Sequence, residues 1–194
     1  MEGKKVPLNY EAPFDKYFIN LAECTKSYFN CLHFTPNMIT TLSLIATLFM
    51  YKLFVLKKYK LASLAFLVSY YFDCLDGNYA RSYGMVSKFG DYYDHFSDLL
   101  TCLLLLYGIN QSNIGFENKK KIYLILLVFI IGAGIQLGCI QKIYKNKKES
   151  PSLNLLINMC PDNFKIKFWR YFGPGTLVFV MFLIIYNFNK FKNK

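Results

Sequence analysis

The sequence predicts an all-α integral membrane protein, a bundle of five to six transmembrane helices preceded by an N-terminal interfacial helix. Three observations carry this expectation. Apolar residues make up 54% of the 194 positions and charged residues only 18%, whereas soluble domains usually carry about 25% charged residues. The apolar residues gather into runs close to the ~20 residues a helix needs to cross a bilayer. The leading residues mix Lys, Glu and aromatics with no continuous apolar stretch, so they read as a surface segment rather than a signal peptide. This composition excludes a disordered, collagen-like or mucin-like chain. A formal charge of +11 would suit a nucleic-acid binder, but beside long apolar runs it points to a lipid bilayer, and no nucleic-acid partner is expected.

The elements follow in order. Residues 1–35 read as the amphipathic, interfacial segment and residues 36–194 as the transmembrane domain. Within the first, Phe14, Tyr17, Phe18 and Leu21 recur at helical spacing, with Lys16 and Asn20 between them. The first span covers residues 38–56, and Pro36 in the preceding Thr35-Pro36-Asn37 marks a helix start. The second begins near Leu61, stays apolar to Phe72, and continues as a polar, acidic segment. The third begins polar at Gly90 and is apolar over residues 99–107. The fourth covers residues 122–140 and the last residues 171–186, with Gly173-Pro174-Gly175 near its start. The basic stretch between these two, residues 142–170, contains a short apolar run at 153–159. That run is too brief to span alone and reads as a surface helix or part of a sixth span. Arg170, beside Trp169, reads as an interfacial anchor. The distribution of Lys and Arg favours a cytosolic N-terminus, with the acidic segment at the cytosolic face. None of the six cysteines forms a CxxC pair, so they are expected to be reduced packing residues.

The acids are where the chemistry lies. Five of the twelve acidic residues fall within 26 positions: Asp73, Asp76, Asp91, Asp94 and Asp98. Only Arg81 and Lys88 oppose them there. Carboxylates set against apolar helices are costly unless they are paired or bind cations. Asp73, Asp76, Gly77 and Ala80 share one helical face, and Gly90, Asp94 and Asp98 share another. A turn at Gly84 would oppose the two faces. Four converging carboxylates repel one another, and a pair of divalent cations would relieve that repulsion. All-oxygen ligation suits Mg²⁺ or Mn²⁺ rather than zinc. Two such ions can hold a diphosphate for in-line phosphoryl displacement. Gly77, Ala80 and Gly90 leave space beside the acids. Arg81 is one of two arginines among 23 basic residues, as bidentate phosphate recognition requires. Asp91 lies off the shared face and reads as a helix N-terminal acid. His95, beside Asp94, reads equally as a supporting or substrate contact and as an interfacial histidine. Two other classes compete: a divalent-cation carrier, since intramembrane carboxylates also mark ion pathways, and a basic membrane-surface scaffold. Acids at helix ends, beside an arginine and glycines, argue against the carrier, and lipid-binding lysines leave the acids unexplained.

The spacing Asp73-x2-Asp76-Gly77-x2-Ala80-Arg81-x8-Gly90-x3-Asp94-x3-Asp98 resembles, without departure, the signature of the CDP-alcohol phosphotransferase family. The segment from Pro36 to Thr40 is similar to that family's lead-in to its first helix. The resemblance implies a multi-pass membrane enzyme, commonly of six spans and often a homodimer. Such an enzyme moves a substituted phosphate from a CDP-linked donor to an alcohol or lipid hydroxyl and releases CMP. It implies Asp73, Asp76, Asp94 and Asp98 as ligands of two Mg²⁺ or Mn²⁺ ions, with Asp98 also the general base. It implies Gly77, Ala80, Arg81 and Gly90 around the CDP moiety, joined by Asn37 and Thr40. The donor divides two ways. Asp94-His95 and the absence of a basic residue after Asp98 look like enzymes using CDP-choline or CDP-ethanolamine. The short chain and Ser87-x-Phe89-Gly90 look like CDP-diacylglycerol users with inositol, glycerol phosphate or serine acceptors.

Overall fold

A computed structural model describes residues 6–7, 10–144, 151–163 and 165–191. The described chain is helical. α1 spans Asp15–Cys31, α2 Pro36–Val55, α3 Tyr59–Ser82, α4 Lys88–Gln111, α5 Phe116–Tyr144, α6 Ile166–Trp169 and α7 Pro174–Tyr186. Three 3₁₀ segments, Pro151–Met159, Arg170–Phe172 and Phe188–Phe191, complete it. Local chemistry sets the helix starts. Thr35 caps α2 by accepting from the Met38 N–H, with Pro36 in the first turn. Ser87 caps α4 by accepting from the Gly90 N–H. Gly84, at φ 66°, supplies the left-handed turn between α3 and α4.

Three helical stretches are long and apolar enough to cross a membrane: Pro36–Val55, Phe116–Ile143 and Lys167–Tyr186. α3 and α4, 24 residues each, match them in length, but their acidic ends lower their hydropathy. The chain is therefore integral to the membrane. α2 packs against both α3 and α4, and α7 against α3 and α5. Far from the acidic end, one core joins Met50, Phe54, Phe66, Leu105, Ile109, Leu126, Met181 and Ile185. Phe188 closes it, its ring 4.7 Å from Phe54 and 4.9 Å from Tyr59. A smaller core of Ala22, Ile39, Leu75 and Tyr79 seats α1 on the acidic half of α3.

Two expectations change. The apolar run at 153–159, expected as a surface helix or part of a sixth span, is not α-helical. It forms the 3₁₀ segment Pro151–Met159, packed along α5. Gly138 permits this contact, because a Cβ there would overlap the Leu156 carbonyl. The cysteines are not all reduced: Cys139 and Cys160 form a disulfide that closes this segment onto α5, while Cys24, Cys31, Cys74 and Cys102 are free.

The aromatic stripe of α1 divides between two faces. Tyr17 and Leu21 are exposed. Phe14 and Phe18 turn inward, Phe14 onto Phe179 of α7 at 5.1 Å and Phe18 onto Tyr70 of α3 at 5.1 Å. Between them Asp15, 6% exposed, accepts a hydrogen bond from the Tyr70 hydroxyl and one from the Gly175 backbone at the start of α7. A side chain at Gly175 would occupy the carboxylate's place. This junction joins the surface helix to two bundle helices.

Burial pushes Asp15 from 3.8 up to about 6. Its contribution to stability is therefore fully present below pH 3.8 and lost as pH rises through about 6. The difference is about 3 kcal/mol. Asp15→Asn keeps an oxygen for Tyr70 but cannot titrate. The wild-type melting temperature is expected to rise relative to that variant as pH falls from 7 to about 5. Parallel melting curves across that range would contradict the buried, titrating carboxylate.

Candidate active site

The ends of α2, α3 and α4 enclose a cleft of about 110 Å³. α3 and α4 are opposed across the Gly84 turn, and the start of α2 lies against both. Asp73 on α3 and Asp94 and Asp98 on α4 bring carboxylate oxygens within 4.8 Å of one another. Among the described residues, this is the group of acids, histidines or cysteines that converges to a metal-binding distance. The fourth acid, Asp76, is almost fully buried beside them. Thr40 donates to its Oδ2 at 2.5 Å, fixing the carboxylate from α2.

The other residues singled out by spacing or by the resemblance, Asn37, Thr40, Gly77, Ala80, Arg81 and Gly90, all line the cleft, together with Asp76 and Asp94. The glycines allow close approach. A Cβ at Gly77 would lie 3.1 Å from the Arg81 Nη1, so the guanidinium lies across a bare patch of α3. A Cβ at Gly90 would lie 3.0 Å from Ser87 Oγ and 3.2 Å from Asn37 Oδ1. Asp98 lies one turn deeper along α4 than Asp94 yet is exposed, so the site is open at its membrane-ward end.

Asp91 and His95 take a role that the spacing did not reveal. Asp91 occupies the first turn of α4, as expected of a helix N-terminal acid. It also accepts from the Ser152 backbone N–H at 3.0 Å. His95 Nδ1 is 2.7 Å from the Asp91 carbonyl and 3.4 Å from Ser152 Oγ. The 3₁₀ segment thus packs on Asp91 and His95, two residues that line the cleft, and is anchored at its other end by the Cys139–Cys160 disulfide. The sequence offered no signal for this contact, because Asp91 and Ser152 are 61 residues apart.

The donor set is made of carboxylate oxygens, the chemistry that hard divalent cations select. The residues present therefore fit a hard divalent cation such as Mg²⁺ or Mn²⁺, which the convergent carboxylates of Asp73, Asp94 and Asp98 would hold, with Asp76 beside them.

A family profile described as CDP-alcohol phosphatidyltransferase matches residues 33–187, which include the cleft and every helix from α2 to α7. The chain belongs to the CDP-alcohol phosphatidyltransferase family. A relative, the archaetidylinositol phosphate synthase of Pyrococcus horikoshii, is 38% identical over 78 residues, covering 40% of this chain and 42% of that protein. The match thus spans less than half of the relative's length. No solved structure matches the chain. Within the CDP-alcohol phosphatidyltransferase fold seen here, residues before 33 supply α1, whose Ala22 and Phe29 pack on the acidic half of α3.

Proposed function

We propose that the protein transfers a substituted phosphate from a CDP-linked donor to a hydroxyl acceptor, with release of CMP. The observation that carries this reading is the convergence of Asp73, Asp94 and Asp98 beside a cleft that also holds Arg81 and two glycines. Two divalent ions held by Asp73, Asp76, Asp94 and Asp98 would neutralise the diphosphate and stabilise the charge that develops on it. The chain's own residues do the rest. The Arg81 guanidinium forks to diphosphate oxygens. Gly77, Ala80 and Gly90 let the nucleotide lie against the helix backbones, with Asn37 at the rim and Thr40 orienting Asp76. Asp98 accepts the proton of the attacking hydroxyl. The new bond joins the acceptor oxygen to the transferred phosphorus, and the electron pair of the breaking P–O bond leaves with CMP. Because Asp98 is exposed at the membrane-ward end, a substrate part held in the bilayer reaches the reacting atoms from the side while the nucleotide stays at the aqueous end.

The kinship with an archaetidylinositol phosphate synthase supports a CDP-activated lipid as donor and a polar alcohol as acceptor. The Asp94-His95 pair favours a second reading, a CDP-aminoalcohol donor and a lipid acceptor. Purified protein in lipid, given each donor with a panel of alcohols, separates them by CMP release. No CMP with any pair would overturn the transferase reading. We read α2 to α5 and α6–α7 together as five spans, with the cleft and α1 at the same end of the bundle, and assign that end to the cytosol.

Arg81→Lys is expected to weaken CDP-donor binding roughly tenfold, because an ammonium cannot fork to two oxygens. Wild-type affinity in a donor titration would make Arg81 structural.

A further inference from the structure

α3 and α4 carry the four aspartates, but a residue of α2 ties these helices together just below them. About one turn deeper than the carboxylates, four hydroxyl side chains meet. Ser43, Thr47 and Ser69 are buried, and Thr101 is partly so. The Ser43 hydroxyl donates to the Ser69 carbonyl at 2.9 Å, and the Ser69 hydroxyl donates to the Ser43 carbonyl at 3.0 Å. The Thr101 hydroxyl donates to the Ser97 carbonyl at 2.9 Å. Thr47 Oγ1 stands 2.8 Å from Ser69 Oγ on α3 and 2.8 Å from Thr101 Oγ1 on α4. With one proton, it donates to one neighbour and accepts from the other, whose own hydroxyl then turns from its backbone carbonyl to Thr47.

The register gives this bridge its consequence. Ser69 lies four residues before Asp73 on α3, and Thr101 lies three residues after Asp98 on α4. Each hydroxyl therefore sits on the carboxylate face of its helix. Asp73 and Asp98 repel one another when ionised, and more strongly away from water. The helices that carry them are held at a fixed separation through Thr47.

We propose that Thr47 is a positioning residue of the carboxylate site: its hydroxyl, bridging Ser69 and Thr101, sets the gap across which Asp73 and Asp98 hold divalent cations. This rests on the metal-dependent reading above. Groups that orient ligands without touching the metal commonly change metal affinity by 10–100-fold, by fixing ligand geometry before the metal arrives.

Thr47→Val tests the bridge cleanly. The side chain keeps its shape, and no donor is orphaned, because Ser69 still has the Ser43 carbonyl and Thr101 the Ser97 carbonyl. Mn²⁺ is titrated into the full-length protein in lipid nanodiscs, with no nucleotide present, and binding is read by electron paramagnetic resonance. Mn²⁺ affinity is expected to fall roughly tenfold in Thr47→Val and to return close to wild type in Thr47→Ser. Wild-type Mn²⁺ affinity in Thr47→Val, with or without a lower melting temperature, overturns the positioning role and leaves the metal site intact. If Thr47→Val does not fold, Thr101→Val, which cuts one arm of the bridge, carries the test, and an unchanged affinity there overturns the proposal. A wild-type protein that binds no Mn²⁺ overturns the metal-dependent reading itself, and this inference with it.

Discussion

Asp98→Asn is expected to lower kcat by roughly 10³ while CDP-donor binding stays near wild type, since general-base catalysis typically contributes about 10²–10⁴. The amide keeps the size and one oxygen of the carboxylate but cannot take up the hydroxyl proton. Two readouts isolate that effect. Donor affinity, measured without acceptor, reports whether the nucleotide cleft survives. Single-turnover CMP formation with saturating donor and acceptor reports the chemical step. An unchanged single-turnover rate would remove Asp98 from the base role. Equal losses in donor binding and rate would make it a ligand alone. The exposure of Asp98, one turn deeper than Asp94, gives the base role its geometry, because an approaching hydroxyl must reach its acceptor.

The second large effect concerns the cations. Exhaustive chelation is expected to abolish turnover, and Mg²⁺ or Mn²⁺ to restore it. Asp73→Asn is expected to lose Mn²⁺ binding even when the protein is folded. Of the three carboxylates within 4.8 Å of one another, Asp73 comes from α3 and the other two from α4. Asp73→Asn therefore removes the ligand across the cleft, whereas Asp98→Asn leaves Asp73 and Asp94 opposed. Removing the Asp73 charge leaves the two acids on α4 facing only Asp76 from α3, whose carboxylate Thr40 already engages. Each electrostatic effect of this kind is worth several kcal/mol where water is excluded. Full turnover in a chelated sample, checked by elemental analysis for residual metal, would contradict the reading. A folded Asp73→Asn protein with wild-type Mn²⁺ affinity would place the ions elsewhere.

Much of the site was legible along the chain because helical periodicity is local. Asp73 and Asp76 fall on one face and Asp94 and Asp98 on another, whatever surrounds them. Gly84 signals the turn that opposes those faces, and Thr35-Pro36 signals the start of α2. Contacts across large sequence distances were not legible. The disulfide partners are 21 residues apart, and nothing in their neighbourhoods distinguishes them from packing cysteines. Asp15 carries no local mark within its amphipathic segment, and its burial comes from Tyr70, 55 residues away. The segment at 153–159 is apolar enough for a helix, but the bare backbone at Gly138 lets it lie as a 3₁₀ turn against α5.

The sequence by itself determined the membrane class, the paired acidic faces and the chemistry they can support. Composition sets the solvent, and the 3.6-residue repeat sets which side chains project together. Only the tertiary structure decided that Thr40 fixes Asp76, that Thr47 spans α3 and α4, and that the Ser152 backbone donates to Asp91. The physical reason is that a hydrogen bond is made by distance in space. A serine or threonine within an apolar run has the same local pattern whether it bonds to its own helix or holds two others together.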